Sequence, residues 1–555
     1  MEPRDFALLL IGFLLLLFPR PAGATTYYVD AIHGDDANNG TSLSTPWQTI
    51  AKVNSVKLNP GDFVLFKRGV IWREQLDVVN SGTVGHPITF GAYGNGSLPT
   101  ISAADLATAW AMDASAKYLW TEGGVGPTNQ VFEDGARLAA AQAPGTMTAG
   151  TFYYNVAART LYVRMLTDDN PNSHIIEVSQ RNYAIYEAGG NSYITLEGLQ
   201  TSAADGTDIY FNGSTSITIS DVTATNAFGE GIRFDVIANS LIDSTIASWN
   251  GSNGISADDV PNLVIHGCLA HHNASLANVN YTAGIKINPD YAPYPGSSNV
   301  TIENSESYAN GSSQSASGEW LGAGIWADTI DGGLMIQRNL VQGNNLLGIY
   351  LDAVSNGTVA YNISYGNGQA GAIDGGGIAV YGDNRTIAED SVYGNTVYGN
   401  LTGGIKVRGS SLPEGCNRTV VKNNIVVGSI SGPNLEASGG CENSGSDGTD
   451  NAYEYNAFGP ATSNFIDYGG DFLSTYSALD TAYGGNTHSV AGDPLFTNAA
   501  ADDFTLRPNS PAIAAGQNLG SSSQYGLAPG SSWTANVLTA NQKSGAWDIG
   551  AYVSK

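Results

Sequence analysis

From residue 225 onward, a short phrase recurs in which apolar and polar residues alternate: GIRFD at 231, GISAD at 254, GIKIN at 284, GIWAD at 324, GIYLD at 348, GIAVY at 377 and GIKVR at 404. The steps are 23, 30, 40, 24, 29 and 27 residues, about one coil of three short strands each time, with loop insertions in the longer ones. Alternation puts the Ile and the residue two after it on one face, and in all seven phrases both are apolar: Ile232 and Phe234, Ile255 and Ala257, Ile285 and Ile287, Ile325 and Ala327, Ile349 and Leu351, Ile378 and Val380, Ile405 and Val407. Further β-branched pieces, such as 263–266, 300–303 and 420–426, end in Asn, Gly or Ser, and no helical period survives. One coil cannot bury its own apolar face, whereas coils stacked at ~4.8 Å put Ile on Ile and pair each backbone with the next. The pattern predicts an all-β chain: a right-handed parallel β-helix, or solenoid, with a small β-rich insertion and terminal caps.

The divisions follow from where the phrase starts, breaks and stops. Residues 25–102 form an N-terminal cap and first coils, with a short amphipathic helix near 46–58 closing the open end. Residues 103–182 break the pattern with Trp110, Trp120, Tyr153 and Tyr154 and form the insertion, whose aromatics are better used in packing than on sugar. Residues 183–450 are the helix core, and 451–555 supply C-terminal coils and a cap. The run from Phe6 to Phe18 follows Arg4 and precedes Ala22-Gly23-Ala24, so residues 1–24 read as a secretory signal peptide. Thirteen apolar residues rise only ~20 Å as a helix, too short to span a bilayer. The expected location is extracellular or periplasmic, with no membrane contact once the signal is removed.

Composition narrows the partners. Gly numbers 69 of 555 and charged residues are 13%, which excludes a disordered acidic tail. The net charge of −27 excludes nucleic acid, which needs a basic surface. Three cysteines cannot make a disulfide framework, although an exported chain permits a bond between Cys416 and Cys441. His266, Cys268, His271 and His272 lack a zinc spacing and read as strand and turn residues.

The outward positions of the phrases carry the candidate chemistry. They are Arg233, Asp235, Ser256, Asp258, Lys286, Asn288, Trp326, Asp328, Tyr350, Asp352, Ala379, Tyr381, Lys406 and Arg408. A merely soluble face would favour Thr, Ser and Asn. Stacking like charges ~4.8 Å apart costs energy unless something binds between them. The two longest steps flank the strand of Lys286, and loops lengthen where a scaffold builds a site. A cleft bounded by the loops at 289–299 and 311–322 is expected, with a polysaccharide as partner and the protein a monomer.

The chain resembles the pectate-lyase-like superfamily of secreted β-helix proteins. The likeness lies in the repeat, in an opening with Gly40-Thr41-Ser42, Pro46-Trp47 and Pro60-Gly61-Asp62, and in a tail reading Asp493-Pro494-Leu495-Phe496, Ser510-Pro511-Ala512-Ile513 and Asp548-Ile549-Gly550-Ala551-Tyr552. Asp235, Asp258 and Asp259 on neighbouring coils, with Lys286 on the next, also resemble the calcium-dependent polysaccharide lyases of family 9. That resemblance implies Ca²⁺ at the three aspartates and Lys286 as the base of a β-elimination; Arg233 beside it joins the catalytic group, and the outward residues Asn288, Trp326, Asp328, Tyr350, Asp352, Tyr381, Lys406 and Arg408 are expected to contact the substrate. Lys286 would then need a depressed pKa. Two alternatives stand beside the lyase. Asp328 and Asp352, one coil apart beside Trp326 and Tyr350, suit a retaining glycoside hydrolase; the same face also suits a non-catalytic glycan-binding surface protein.

Overall fold

The computed structural model describes residues 23–114, 117–276, 281–288, 296–311, 321–369, 375–382, 386–409, 415–442, 450–463, 465–533 and 535–554. Its body is three sheets of thirteen strands each, every coil contributing one strand to each sheet in turn. Pairing is parallel except where Ile466–Tyr468 meets Asp471–Leu473 at the closing end. Sheet 1 holds all seven phrases in register: Ile232, Ile255, Ile285, Ile325, Ile349, Ile378 and Ile405 are successive partners, and all are fully buried. The expected right-handed parallel β-helix is therefore the fold, and the isoleucine column is its axis of packing.

The turns between sheets are held by a device that the strand pattern does not announce. Asn250, Asn273, Asn310, Asn344, Asn367 and Asn400 form one buried ladder in which each side-chain amide donates to the Oδ1 of the next at 2.9–3.1 Å. Each backbone N–H donates to that same Oδ1. A second ladder runs through Asn339, Asn362, Asn395, Asn424 and Asn456. A buried turn amide without a partner would cost the desolvation of that group; the Asn amide, donor and acceptor at once, answers it from the neighbouring coil.

The N-terminal end is capped by the helix Ile50–Ser55, whose Ile50 and Val53 are buried. Thr49 accepts from Lys52 N, and Glu74 accepts from the N–H groups of Ile50 and Ala51, so the exposed first turn is satisfied. Between Ala104–Ala107 and Ile176–Ser179 the chain leaves the helix to form a four-stranded and a five-stranded sheet with their own core around Trp110, Phe152, Leu161 and Val163. Arg137 docks this insertion, donating to Ala227 O, Trp249 O and Ser275 Oγ. The tail returns along the outside of sheet 3, the sheet that holds Ile246–Ser248, Ile363–Tyr365 and Ile425–Val427, where Phe496, Phe504, Leu527 and Ile549 pack on Ile363, Ile425 and Ala457. Cys416 and Cys441 are disulfide-bonded. Cys268 points into the core, while His266 pairs with Asp243 at 2.7 Å. Residues 1–22, most of the signal segment, and 289–295 and 312–320, most of the two expected cleft loops, lie outside the described residues. Among the described residues no helix is long and apolar enough to cross a membrane.

Candidate functional site

Register turns the outward residues of sheet 1 into two columns. One runs Tyr186, Tyr210, Arg233, Ser256, Lys286, Trp326, Tyr350, Ala379, Lys406 and Glu436; the other includes Asn212, Asp235, Asp258, Asp328, Asp352, Tyr381, Arg408 and Ser438, with Asn288 one residue past its strand, its N–H donating to Ala257 O. The sequence-predicted residues therefore share one face, with the exception of Asp259. That residue stands in the turn after Asp258, buried and at φ 52°, outside both columns.

At the upstream end the charges answer one another. Arg233 donates to Asp235 at 2.9 Å and to Asp258 at 2.7 Å, and lies 3.4 Å from Glu230. Tyr210 donates to the second oxygen of Asp235 at 2.8 Å. Burial works against the Arg233 charge, but Asp258, Glu230 and Asp235 outweigh it and hold its pKa above the ordinary range. One cation facing three carboxylates leaves a net deficit. Burial, opposed by Arg233, pushes the deepest of the three, Asp258, up to about 6. A guanidinium thus occupies the place between Asp235 and Asp258 that the lyase resemblance reserves for Ca²⁺. Asp259 stands apart from that pair in the turn, and one buried oxygen of each of Asp258 and Asp259 accepts no hydrogen bond. Among the described residues, the group of three carboxylate or imidazole side chains whose ligand atoms lie within 4.8 Å of one another is Glu133, Asp169 and His174, on the insertion.

Farther along, the face closes. Lys286 is 4% exposed; its Nζ donates to Tyr281 O at 2.8 Å and sits 4.1 Å from the centre of the Trp326 ring. Trp326, Tyr350 and Tyr381 follow one another with ring centres 4.9 and 5.4 Å apart. Together with Ala283, Ala323, Leu346, Leu347 and Ala379 they form a buried apolar cluster on the outward side of the sheet. Asp328 and Asp352 are direct partners on adjacent strands beside it, and Asp328 accepts from Thr329 Oγ1 at 2.8 Å. Asp352 is buried. Burial lowers the Lys286 pKa, while Asp328, Asp352 and Asp258, in that order, oppose the shift. The depression required of a base is present, but its cause is burial among aromatics. Arg408 closes the row, 4.3 Å from the Tyr381 ring and 3.9 Å from Glu436, with buried Lys406 beside it. Asn288 donates to Ser256 Oγ at 2.8 Å, as a polar spacer would.

The burial of Trp326, Tyr350 and Tyr381 was not legible in the sequence, where outward meant exposed. Alternation shows only which side of a sheet a residue takes. The one hint was the 40-residue step before Trp326, long enough to bring more chain over that face.

Residues 183–327 and 294–425 match the sequence model of the family described as "Right handed beta helix region". The structure of XylC in complex with xylose is similar at a TM-score of 0.56 and 15% identity, over 74% of this chain and 76% of that one. The structure of pectate lyase Pel9A overlaps 96% of this chain and 98% of its own at 16% identity, with a TM-score of 0.44. Among curated proteins, lacto-N-biosidase of Bifidobacterium longum subsp. longum is 44% identical over 78 residues, which are 13% of this chain. This chain spans only 5% of that relative's length. Repeat, register and the match to the family described as "Right handed beta helix region" agree that residues 183–425 form a right-handed parallel β-helix.

Proposed function

We propose that the chain is a secreted glycoside hydrolase that cleaves a glycosidic bond with retention, using Asp328 and Asp352. The observation that carries this reading is their direct pairing on adjacent strands. Neighbouring strands lie ~4.8 Å apart, and retaining enzymes place their two carboxyl groups at about 5–5.5 Å. One carboxyl protonates the glycosidic oxygen as the C1–O bond breaks, while the other bonds to C1; the first then takes a proton from water, which displaces the second. The buried rings of Trp326, Tyr350 and Tyr381 wall the pair on one side, and the Lys286 ammonium is attracted by both aspartates. The XylC complex with xylose and the lacto-N-biosidase segment favour a neutral sugar.

A second reading, β-elimination with Lys286 as base, is favoured by its lowered pKa. It is weakened by the ion-paired state of Asp235 and Asp258, which leaves the cation's place filled. The test is to assay nitrophenyl glycosides of xylose and lacto-N-biose, and neutral glycans for new reducing ends, with Asp328→Asn and Asp352→Asn as controls. Turnover that is indifferent to either replacement would end the hydrolase reading.

A further inference from the structure

Outside sheet 1, the corner after sheet 3 carries an aromatic surface that neither packing nor the candidate site uses. Trp249 follows the strand Ile246–Ser248 and is 50% exposed. It holds a left-handed backbone at φ 58°, a conformation that is uncommon for a bulky residue and needs support from its surroundings. Support comes from both sides. Its N–H donates to His271 O, its carbonyl accepts from Arg137 at 3.0 Å, and its ring lies flat on His272 with centres 4.2 Å apart and planes 19° from parallel. The neighbouring His271 is stacked in the same way on Tyr308, at 4.9 Å and 5°. The strip is bounded by the insertion, through Arg137, and by the returning tail, which covers sheet 3 from Leu340 and Ile363 onward.

The imidazoles define what the strip can recognise. Their Nδ1 atoms are 2.8 Å apart, so one proton is shared between them: one ring donates through Nδ1 and keeps Nε2 as an acceptor, and the other accepts at Nδ1 and carries its proton on Nε2. Burial, and for His271 also the neighbouring His272, lowers both pKa values, that of His271 to about 4, so the pair is neutral at physiological pH. A flat half-exposed indole beside one neutral donor and one neutral acceptor matches the apolar face and hydroxyl rim of a pyranose. A polyanion would meet no cationic imidazole there and a protein of net charge −27.

We infer that Trp249, His271, His272 and Tyr308 form a binding site for a neutral glycan chain, separate from the outward columns of sheet 1. It stands whether or not Asp328 and Asp352 perform hydrolysis.

The experiment is affinity electrophoresis of the full chain in native gels cast with arabinoxylan, galactomannan or hydroxyethylcellulose, with alginate as the anionic control. At least one neutral polymer should retard the protein and alginate should not. Trp249→Ala should weaken that retardation about tenfold, the upper range for one aromatic face. Trp249→Phe should keep most of it, and neither change should alter turnover of a small glycoside. A second readout needs no variant: the retarding polymer should slow modification of His271 and His272 by diethyl pyrocarbonate. The proposal is overturned if no neutral polymer retards the protein, if Trp249→Ala migrates as the wild type does, or if the polymer leaves the histidine modification rate unchanged.

Discussion

Two halves of one face carry the same phrase and differ in everything but the core. From Tyr186 to Asp235 the outward residues are half-buried, and their charges are spent on each other through Arg233. From Lys286 to Tyr381 most of them are buried against aromatic rings. Inward, both halves present the same isoleucine ladder. The backbone register is thus indifferent to what the outer face does, and a charged residue on that face is not by itself a sign of chemistry. In the first half, where a step of 23 residues leaves little chain to spare, the charges pair with one another; in the second, after steps of 30 and 40, they lie beside a buried aromatic cluster where electrostatics are strong.

The contrast can be broken most forcefully at the carboxylates of the second half. Asp328→Asn and Asp352→Asn should each lower kcat by roughly 10²–10⁴-fold, the contribution of one acid–base or nucleophilic group, whereas Asp235→Asn should leave kcat on the same glycoside near that of the wild type. Steady-state kinetics on one nitrophenyl glycoside checks all three. Next in size, Ile232→Ala and Ile349→Ala should each destabilise by about 2–5 kcal/mol in denaturant titrations. Similar values would confirm that the inner ladder ignores the difference outside; a large disparity would mean that the halves are packed differently.

Arg233→Ala should cost about 2 kcal/mol, because it strips charge-assisted hydrogen bonds from Asp235 and Asp258, with little change in kcat. A collapse of kcat at unchanged stability would move the chemistry to the Arg233 end of the face. The smallest effect concerns pH. Asp258 is raised to about 6 from 3.8, chiefly by burial, so the folded state holds its proton more tightly than the unfolded chain. Its favourable contribution is complete below about 3.8 and is lost as pH rises through about 6. Asp258→Asn should therefore raise the melting temperature relative to wild type at pH 7.5 more than at pH 3.5; an equal shift at both would contradict the assignment.

The inner ladder was readable because a period of two in a strand and one coil per repeat map sequence directly onto space, as Ile232 through Ile405 show. The columns on the outer face were readable for the same reason. Their partners were not. Whether Arg233 meets Asp235 and Asp258, or leaves them to an ion, depends on side-chain reach across coils, which spacing does not encode. The Asn ladders were hidden because Asn250 or Asn362 in a turn looks like any turn residue until stacking aligns it with the next. The Trp249–His272 stack was hidden because both residues sit at left-handed corners, outside the strands that the alternation reveals. Of His266, Cys268, His271 and His272, Cys268 points inward and His266 toward Asp243, while His271 and His272 face each other.

The central claim is that the Asp328–Asp352 pair, and not Asp235 and Asp258 with Lys286, does the chemistry. It is tested most directly by presenting the wild type, Asp352→Asn and Lys286→Ala with neutral glycans and with pectate and alginate, with and without EDTA, while following both reducing ends and the ultraviolet absorbance of unsaturated uronides. The account predicts reducing ends from a neutral glycan, no unsaturated product, no effect of EDTA, and loss of turnover in Asp352→Asn. Unsaturated product from a polyuronate that EDTA or Lys286→Ala abolishes, and that Asp352→Asn retains, would contradict it.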